Sequence, residues 1–365
     1  MATSKIALYL PRYSTYGGVE RFAYNLANFL TQQNFKVLFI CARQEITNNN
    51  PYITIIKTGR PPCARIGKML WYALRAEQIK KELKPDLNVS LGKTLSCDLL
   101  RIGGGPLKVF WQLSQRAYPG WAKIFKNLRR LTSPANWFTF YLEKRQLEQA
   151  QKIICVSHLV KTWLIQTYPF LREEQLEVIY NLPDLKKFYP DPSKKEQVRK
   201  QFQLPLQAKI ILSVATNFKL KGISFLIESL SYLPTNYVLV IAGDRNSKRY
   251  HKLIHQLHLD RRVFFLGKVL EMEKLYRAAD FFVLNSFYDA CSNALLEALA
   301  CGLISISSKF NGSACFLPAS NLIHNPADPK EIAQVIQTAR PSSLQFSPEI
   351  KLGFQPYLEI IKNLL

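Results

Sequence analysis

The chain has 365 residues, 48% of them hydrophobic, and carries 49 Lys and Arg against 26 Asp and Glu, a formal net charge of +23. That length supports two domains with separate cores. No apolar run reaches the length of a membrane span, and the opening KIALYLP reads as a strand rather than a secretory leader. The seven scattered cysteines form no C-x-x-C pair, which argues for reduced, buried thiols in the cytosol over disulfides or a zinc site. So basic a surface seeks polyanions: nucleic acid, anionic lipid headgroups or a phosphorylated glycan. Charge alone does not choose among them.

In chain order, residues 5–10 predict a strand of the parallel type. Gly17 and Gly18 then make a tight turn that allows close backbone approach. Val19 to Leu30 follows as a helix with Phe22, Leu26, Phe29 and Leu30 on one face, and Lys36 to Cys41 as a strand. This is βαβ punctuation without G-x-G-x-x-G, a weak signal for a dinucleotide. An amphipathic helix over 68–83 and a strand over 86–91 lead to CDLLRIGGGPLKVFWQ, residues 97–112. No His precedes His158, so no imidazole from the first half of the chain's opening domain is available as a base. Asp98 is the only Asp between Asp86 and Asp184, and it reads either as a group that grips or deprotonates a hydroxyl or as a strand-end residue.

Residues 108–148 interleave Trp111, Trp121, Phe125, Trp137 and Tyr141 with Lys108, Arg116, Lys123, Lys126, Arg129 and Arg130. Such a mixture suits a membrane or glycolipid interface, a helical hairpin with aromatics in its core, or, least of the three, single-stranded nucleic acid. A strand over 151–157 runs into a helix that His158 helps to cap. Residues 190–208, rich in Pro and charge, read as a linker. From Lys209 a second βα series begins, with strands at 210–218, 237–244, 262–269 and 281–285, which predicts a second doubly wound domain.

The densest signal lies at FVLNSFYDACSNALLEALACG. An apolar strand, Phe281 to Leu284, passes through a polar turn into a helix over Asn293 to Cys301, with Ser292 or Asn293 as N-cap and Gly302 as stop. A strand that feeds a helix N-terminus aims backbone N–H groups and the helix dipole at phosphate. Asp289 and Glu297, eight apart, suit sugar hydroxyls beside it. The local reading is a nucleotide-sugar cradle: amides near Ser292 and Asn293 for the diphosphate, Glu297 for ribose and Asp289 for the hexose. The alternative is an ordinary buried βα unit with a capping acid.

This stretch resembles the E-x7-E region of the retaining nucleotide-sugar transferases of glycosyltransferase family 4, here Asp289-x7-Glu297 with the first acid shortened. SNALLEALACGL is similar to the subgroup that builds bacterial lipopolysaccharide cores. So is the 97–112 segment at Cys97, Asp98, Arg101, Gly103, Gly105 and Trp111, with Gly104 and Leu107 in place of the usual acid and His. Asn181, Asp184 and Phe188 match a junction motif, and Lys221-Gly222 matches the family's K-G.

The resemblance implies an α/β protein of the GT-B fold, two doubly wound Rossmann-like domains facing across a cleft. Residues 1–190 would form the acceptor domain and 191–347 the nucleotide-sugar domain, with a helix in 348–365 crossing back. It implies Lys221, with Lys219 beside it, on the donor phosphates, and the Gly17–Gly18 turn across from them. The usual partner Arg is missing, since Thr216, Asn217 and Leu220 hold its positions. Asp98, Lys221 and Asp289 are the catalytic candidates. The implied reaction moves a hexose from a nucleotide diphosphate sugar, with a UDP-sugar favoured, onto a glycolipid or phosphorylated glycan such as lipopolysaccharide core. No metal and no cofactor are expected, nor is nucleic acid as a partner. The implied location is the cytoplasmic face of the inner membrane, on an anionic surface. The competing reading is a non-catalytic protein that binds anionic membrane or nucleic acid on the same scaffold.

Overall fold

The computed structural model describes residues 4–118, 120–243, 245–342 and 350–365. The described chain divides into two compact units. The first comprises Met1–Val109, Ile124–Asn181 and Ile350–Leu365; the second comprises Phe110–Lys123 and Leu182–Glu349. The division thus falls after Asn181 instead of near 190, and a segment read as part of the first domain groups with the second. The expected boundary at 347/348 lies outside the described residues.

The chain opens with strands β1 (Lys5–Tyr9) and β2 (Arg12–Tyr13), helix α1 (Gly18–Gln32), and strands β3 (Lys36–Cys41), β4 (Arg43–Gln44) and β5 (Ile53–Lys57). It continues with helix α2 (Arg65–Leu83), strands β6 (Leu87–Ser90) and β7 (Leu99–Ile102), and helices α3 (Leu107–Ser114), α4 (Gly120–Leu131) and α5 (Pro134–Gln149). Strand β8 (Lys152–Cys155), helix α6 (His158–Thr167) and strand β9 (Leu176–Val178) follow. Seven of these strands form one parallel sheet in the order β5-β3-β1-β6-β7-β8-β9, while β2 and β4 pair separately.

Ile6–Tyr9 are all buried, so β1 reads as an unbroken apolar run instead of an alternation, the mark of a strand covered on both faces. Helix α1 buries Ala23, Leu26, Ala27 and Leu30, spaced three and four apart, against the sheet. The strand order reverses direction between β1 and β6, and the carboxyl ends of those two strands bound a crevice of the kind that takes ligands in open α/β sheets.

In the second unit, helix α7 (Lys195–Gln201) leads to β10 (Lys209–Val214), α8 (Ile223–Ser229), β11 (Tyr237–Ala242), α9 (Lys248–Gln256) and β12 (Val263–Gly267). Then come α10 (Met272–Ala278), β13 (Phe281–Leu284), α11 (Asn293–Ala300), β14 (Ile304–Ser308), β15 (Leu322–Ile323) and α12 (Pro329–Thr338). The sheet is parallel, in the order β12-β11-β10-β13-β14-β15, and its reversal lies between β10 and β13.

The last helix, α13 (Gln355–Leu364), belongs to the first unit, where Tyr357 and Ile361 join the core. Arg101 on β7 holds it: Nε donates to the Tyr357 hydroxyl at 3.0 Å, Nη2 donates to Asn181 Oδ1 at 2.9 Å, and the guanidinium lies 3.8 Å from the Phe22 ring centroid. The Arg in the 97–112 motif is therefore a buried structural clamp.

Candidate functional site

At the reversal point of the second unit, the loop 215–222 after β10 is pinned to the end of β13. Gly222 sits at φ 57°, and a Cβ there would meet the Asn285 carbonyl oxygen at 2.6 Å, so only glycine fits. Asn285 Nδ2 donates to Pro326 O at 2.8 Å and to Gly222 O at 3.4 Å, and the Phe287 amide donates to Leu220 O at 2.9 Å. These bonds bring Lys221 directly against Asp289 in an ion pair, with side chains 13% and 18% exposed.

Asp289 is itself fixed by its backbone. Its N–H donates to Phe310 O at 2.9 Å, and its carbonyl accepts from Gly312 N at 3.0 Å. Its second carboxylate oxygen accepts from the Cys291 amide at 3.2 Å. Lys221 and Asp289, expected to serve phosphate and hexose separately, form one joined pair.

The turn then enters α11 at Asn293 as the sequence suggests, and the helix ends at Ala300, one residue early, with Cys301 as its C-cap. Ser292 is the N-cap, its Oγ accepting from Leu295 N at 3.3 Å. Asn311 Oδ1 accepts from the amides of Ser292 at 3.3 Å and Ser313 at 3.1 Å and so braces the cap from the 309–313 loop. The positive end of the helix dipole opens at Asn293, beside the Lys221–Asp289 pair in the same loop cluster. Glu297 is one turn further on and 8% exposed, and its Oε2 accepts from the Tyr276 hydroxyl at 3.1 Å. Tyr276 is held in turn by edge contacts with Phe188 and Phe282.

Several groups here escaped the sequence reading. Tyr276 and Asn311 position the acids and the cap without belonging to any recognisable spacing. Arg245 follows the carboxyl end of β11, and its Nε donates to Thr216 O at 2.5 Å. It brings to this loop the guanidinium that the loop's own residues lack; a basic residue just past a strand's carboxyl end was the available signal.

Residues 110–118 also lie on this edge. Phe110 meets Tyr288 edge-on at 5.2 Å, Arg116 lies 5.0 Å from the Phe310 centroid, and the Lys219 ammonium lies 4.9 Å from the Tyr118 centroid.

The remaining expected residues belong to the first unit. Gly17, at φ 110°, turns the chain into α1 at Gly18. The Glu20 carboxylate lies where a Gly17 Cβ would stand and pairs with Arg12. Asp98 needs correction. It precedes β7, at the amino end of the sheet, opposite the edge where ligands collect. Its Oδ2 accepts from both the backbone and the side-chain nitrogens of Asn88 at 2.8 Å. It ties β6 to β7 and is not placed to work on an acceptor.

His158 heads α6, with its Nδ1 3.0 Å from the Tyr180 hydroxyl. The hairpin reading of 108–148 fails on its aromatics. Helices α4 and α5 form, but Trp121 is 84% and Phe125 70% exposed, and Ile124, Leu128, Leu131, Trp137 and Tyr141 are exposed with them. No described helix is long and apolar enough to cross a membrane.

Known proteins match this arrangement. The family model for glycosyltransferase family 4 matches residues 16–187, and that for glycosyl transferases group 1 matches 194–339. The lipopolysaccharide glucosyltransferase WaaG of Escherichia coli is 26% identical over 164 residues, 43% of this chain and 44% of WaaG. The first curated relatives are thus matched over less than half of their own length. Among solved structures, WaaG superposes with a TM-score of 0.76 at 19% identity, over 91% of this chain and 89% of that one. Anabaena HepE in complex with UDP-glucose superposes with a TM-score of 0.68 at 18% identity, over 92% and 89%. Both likenesses establish the fold: two Rossmann-like domains of the GT-B class.

Proposed function

We propose that this chain, which belongs to the glycosyltransferases of family 4 and group 1, is a retaining hexosyltransferase that uses a nucleotide diphosphate sugar, with a UDP-sugar as donor. The observation that carries this is the Lys221–Asp289 pair at the β10/β13 reversal, beside the N-terminus of α11. A cation and a helix N-terminus suit a diphosphate, and the carboxylates of Asp289 in the preceding turn and Glu297 one turn into the helix suit hydroxyls. HepE, of the same fold, has been solved with UDP-glucose.

In the reaction, the bond between the anomeric carbon and the diphosphate oxygen breaks, and the acceptor oxygen bonds that carbon on the face the leaving group vacates. The hydroxyl proton passes to the departing phosphate oxygen, so no protein base is required, consistent with the structural use of Asp98. Lys221 and the α11 amides stabilise the negative charge that develops on the diphosphate, with Arg245 and Lys219 adding positive potential. Glu297, oriented by Tyr276, receives ribose hydroxyls. Asp289 receives a hexose hydroxyl while holding the Lys221 ammonium.

The acceptor in this reading is a lipid-linked glycan such as lipopolysaccharide core, taken at an anionic membrane face. Support comes from α4, whose exposed Trp121, Ile124, Phe125, Leu128 and Leu131 recur at helical spacing beside Lys123, Lys126 and Arg129. Such a helix suits the headgroup boundary.

The test is UDP release from a panel of UDP-sugars, with and without core glycolipid, by wild type and by Lys221→Ala. Release from one sugar that collapses in the variant supports the reading. Equal release by both proteins, or none from any donor, sinks it.

A further inference from the structure

The first unit carries a second site-like feature. A cavity of about 500 Å³ opens at its own reversal point, with Pro11 and Arg12 from the end of β1, Gly92 and Lys93 from the end of β6, and Arg43 and Arg60 beyond β3 and β5. Arg65 and Lys68 of α2 complete a ring of six cations, with Met69 and Tyr72 as an apolar wall and no acid in the lining.

Arg12 pairs with Glu20, and Lys93 with the buried Glu143 at 3.0 Å. Among the described residues, no carboxylate pairs with Arg43, Arg60, Arg65 or Lys68. Helix α2 compounds the imbalance. It starts with Arg65, has no acid in its first turn, and its N-cap Ala64 offers no side-chain bond. Cations at a helix N-terminus oppose the dipole, and gathered like charges repel. Folding gains nothing from this arrangement; a bound polyanion neutralises all of it at once.

We infer that this cavity binds phosphate groups carried on the sugar acceptor, so that the chain recognises a phosphorylated glycan chiefly by Arg43, Arg60, Arg65 and Lys68 of its first unit. The inference rests on the transferase reading above and adds to it the acceptor's chemistry and the residues that read it. Planar guanidiniums from Arg43, Arg60 and Arg65 suit bidentate phosphate contacts. Met69, half-buried on the wall, suits the apolar face of a sugar ring.

The probe is glucose 1,6-bisphosphate, titrated calorimetrically into the full chain at saturating UDP, with glucose and phosphatidylglycerol vesicles as parallel arms. The proteins are wild type, Lys221→Ala, and the triple variant Arg43→Gln/Arg65→Gln/Lys68→Gln, whose melting midpoint confirms folding. Saturable bisphosphate binding is expected, unchanged in Lys221→Ala, weaker by about tenfold or more in the triple variant, and falling steeply with salt. No binding of the bisphosphate, equal binding of glucose, or an unchanged triple variant overturns the site. Loss of vesicle binding in the triple variant without any bisphosphate binding overturns it in favour of a lipid surface. Intact bisphosphate binding in a protein that shows no UDP response overturns the acceptor role together with the transferase reading. An intact UDP response with an unchanged triple variant sinks this inference alone.

Discussion

The two units are built on the same plan and differ at the same place. Each has a parallel sheet whose order reverses beside its first strand, between β1 and β6 in one and between β10 and β13 in the other. At the second reversal one lysine is matched by one aspartate, and the surrounding backbone is pinned by Asn285 and Asn311. At the first, cations outnumber their partners and are drawn from strand ends, loops and the start of α2. A paired, tightly braced site fits one ligand in one geometry, whereas an unbalanced, open one fits charge of variable placement. The amino ends teach the converse. Asp98 bonds Asn88 there in one unit, and Asp280 accepts from Ile210 N at 2.7 Å in the other. Acids at that end knit strands together.

Lys221→Ala tests this contrast hardest. Removing the cation proposed to face the leaving group should lower kcat by about 10²–10³-fold, while bisphosphate binding by the first unit stays unchanged. Replacing Trp121 and Phe125 together by Ser should lower affinity for anionic vesicles by an order of magnitude or more, given about 1.5–3 kcal/mol for each large apolar side chain. UDP affinity should hold, which a co-sedimentation assay alongside nucleotide titration would reveal.

Asp98→Ala should cost about 1–3 kcal/mol of stability through the orphaned Asn88 donors, read as a lower urea midpoint, with kcat per folded molecule unaltered. A loss of kcat in folded protein would return Asp98 to the active site. Tyr276→Phe should weaken UDP binding only about five-fold, the cost of one hydrogen bond that orients Glu297.

The last effect is global and confined to alkaline pH. Burial pushes the thiols of Cys97, Cys155 and Cys301 up from 9.0 to about 12. The folded state therefore holds protons that the unfolded chain releases above pH 9. Stability should be fully present below that value and fall as pH rises from 9 toward 12, visible as a melting midpoint that declines with alkali.

Most of the fold was legible because the second unit announces itself through apolar runs ending in glycine and polar turns. Phe281–Leu284 and Asn293–Ala300 lie where strand propensity, an N-cap serine and a stop glycine all agree. Strands β5 and β7 were harder: ITIIK is short, and LLRI carries an Arg whose burial depends on Tyr357, 256 residues away. The same distance problem hid the site's supports. Lys221 and Asp289 stand out singly, but their pairing across 68 residues is a product of the fold. So is the gathering of Arg12, Arg43, Arg60 and Lys93, which lie far apart in the sequence. Asp98 misled because its scarcity suggested chemistry, when its place at the strand's amino end decides otherwise.

The most direct test of the central claim is photolabelling with 5-azido-UDP-glucose, followed by peptide mapping. The account predicts label on the peptide that carries Asp289 and the start of α11, chased by excess UDP and absent from Lys221→Ala. Label spread over surface lysines and indifferent to UDP, or confined to peptides of the first unit, would contradict it.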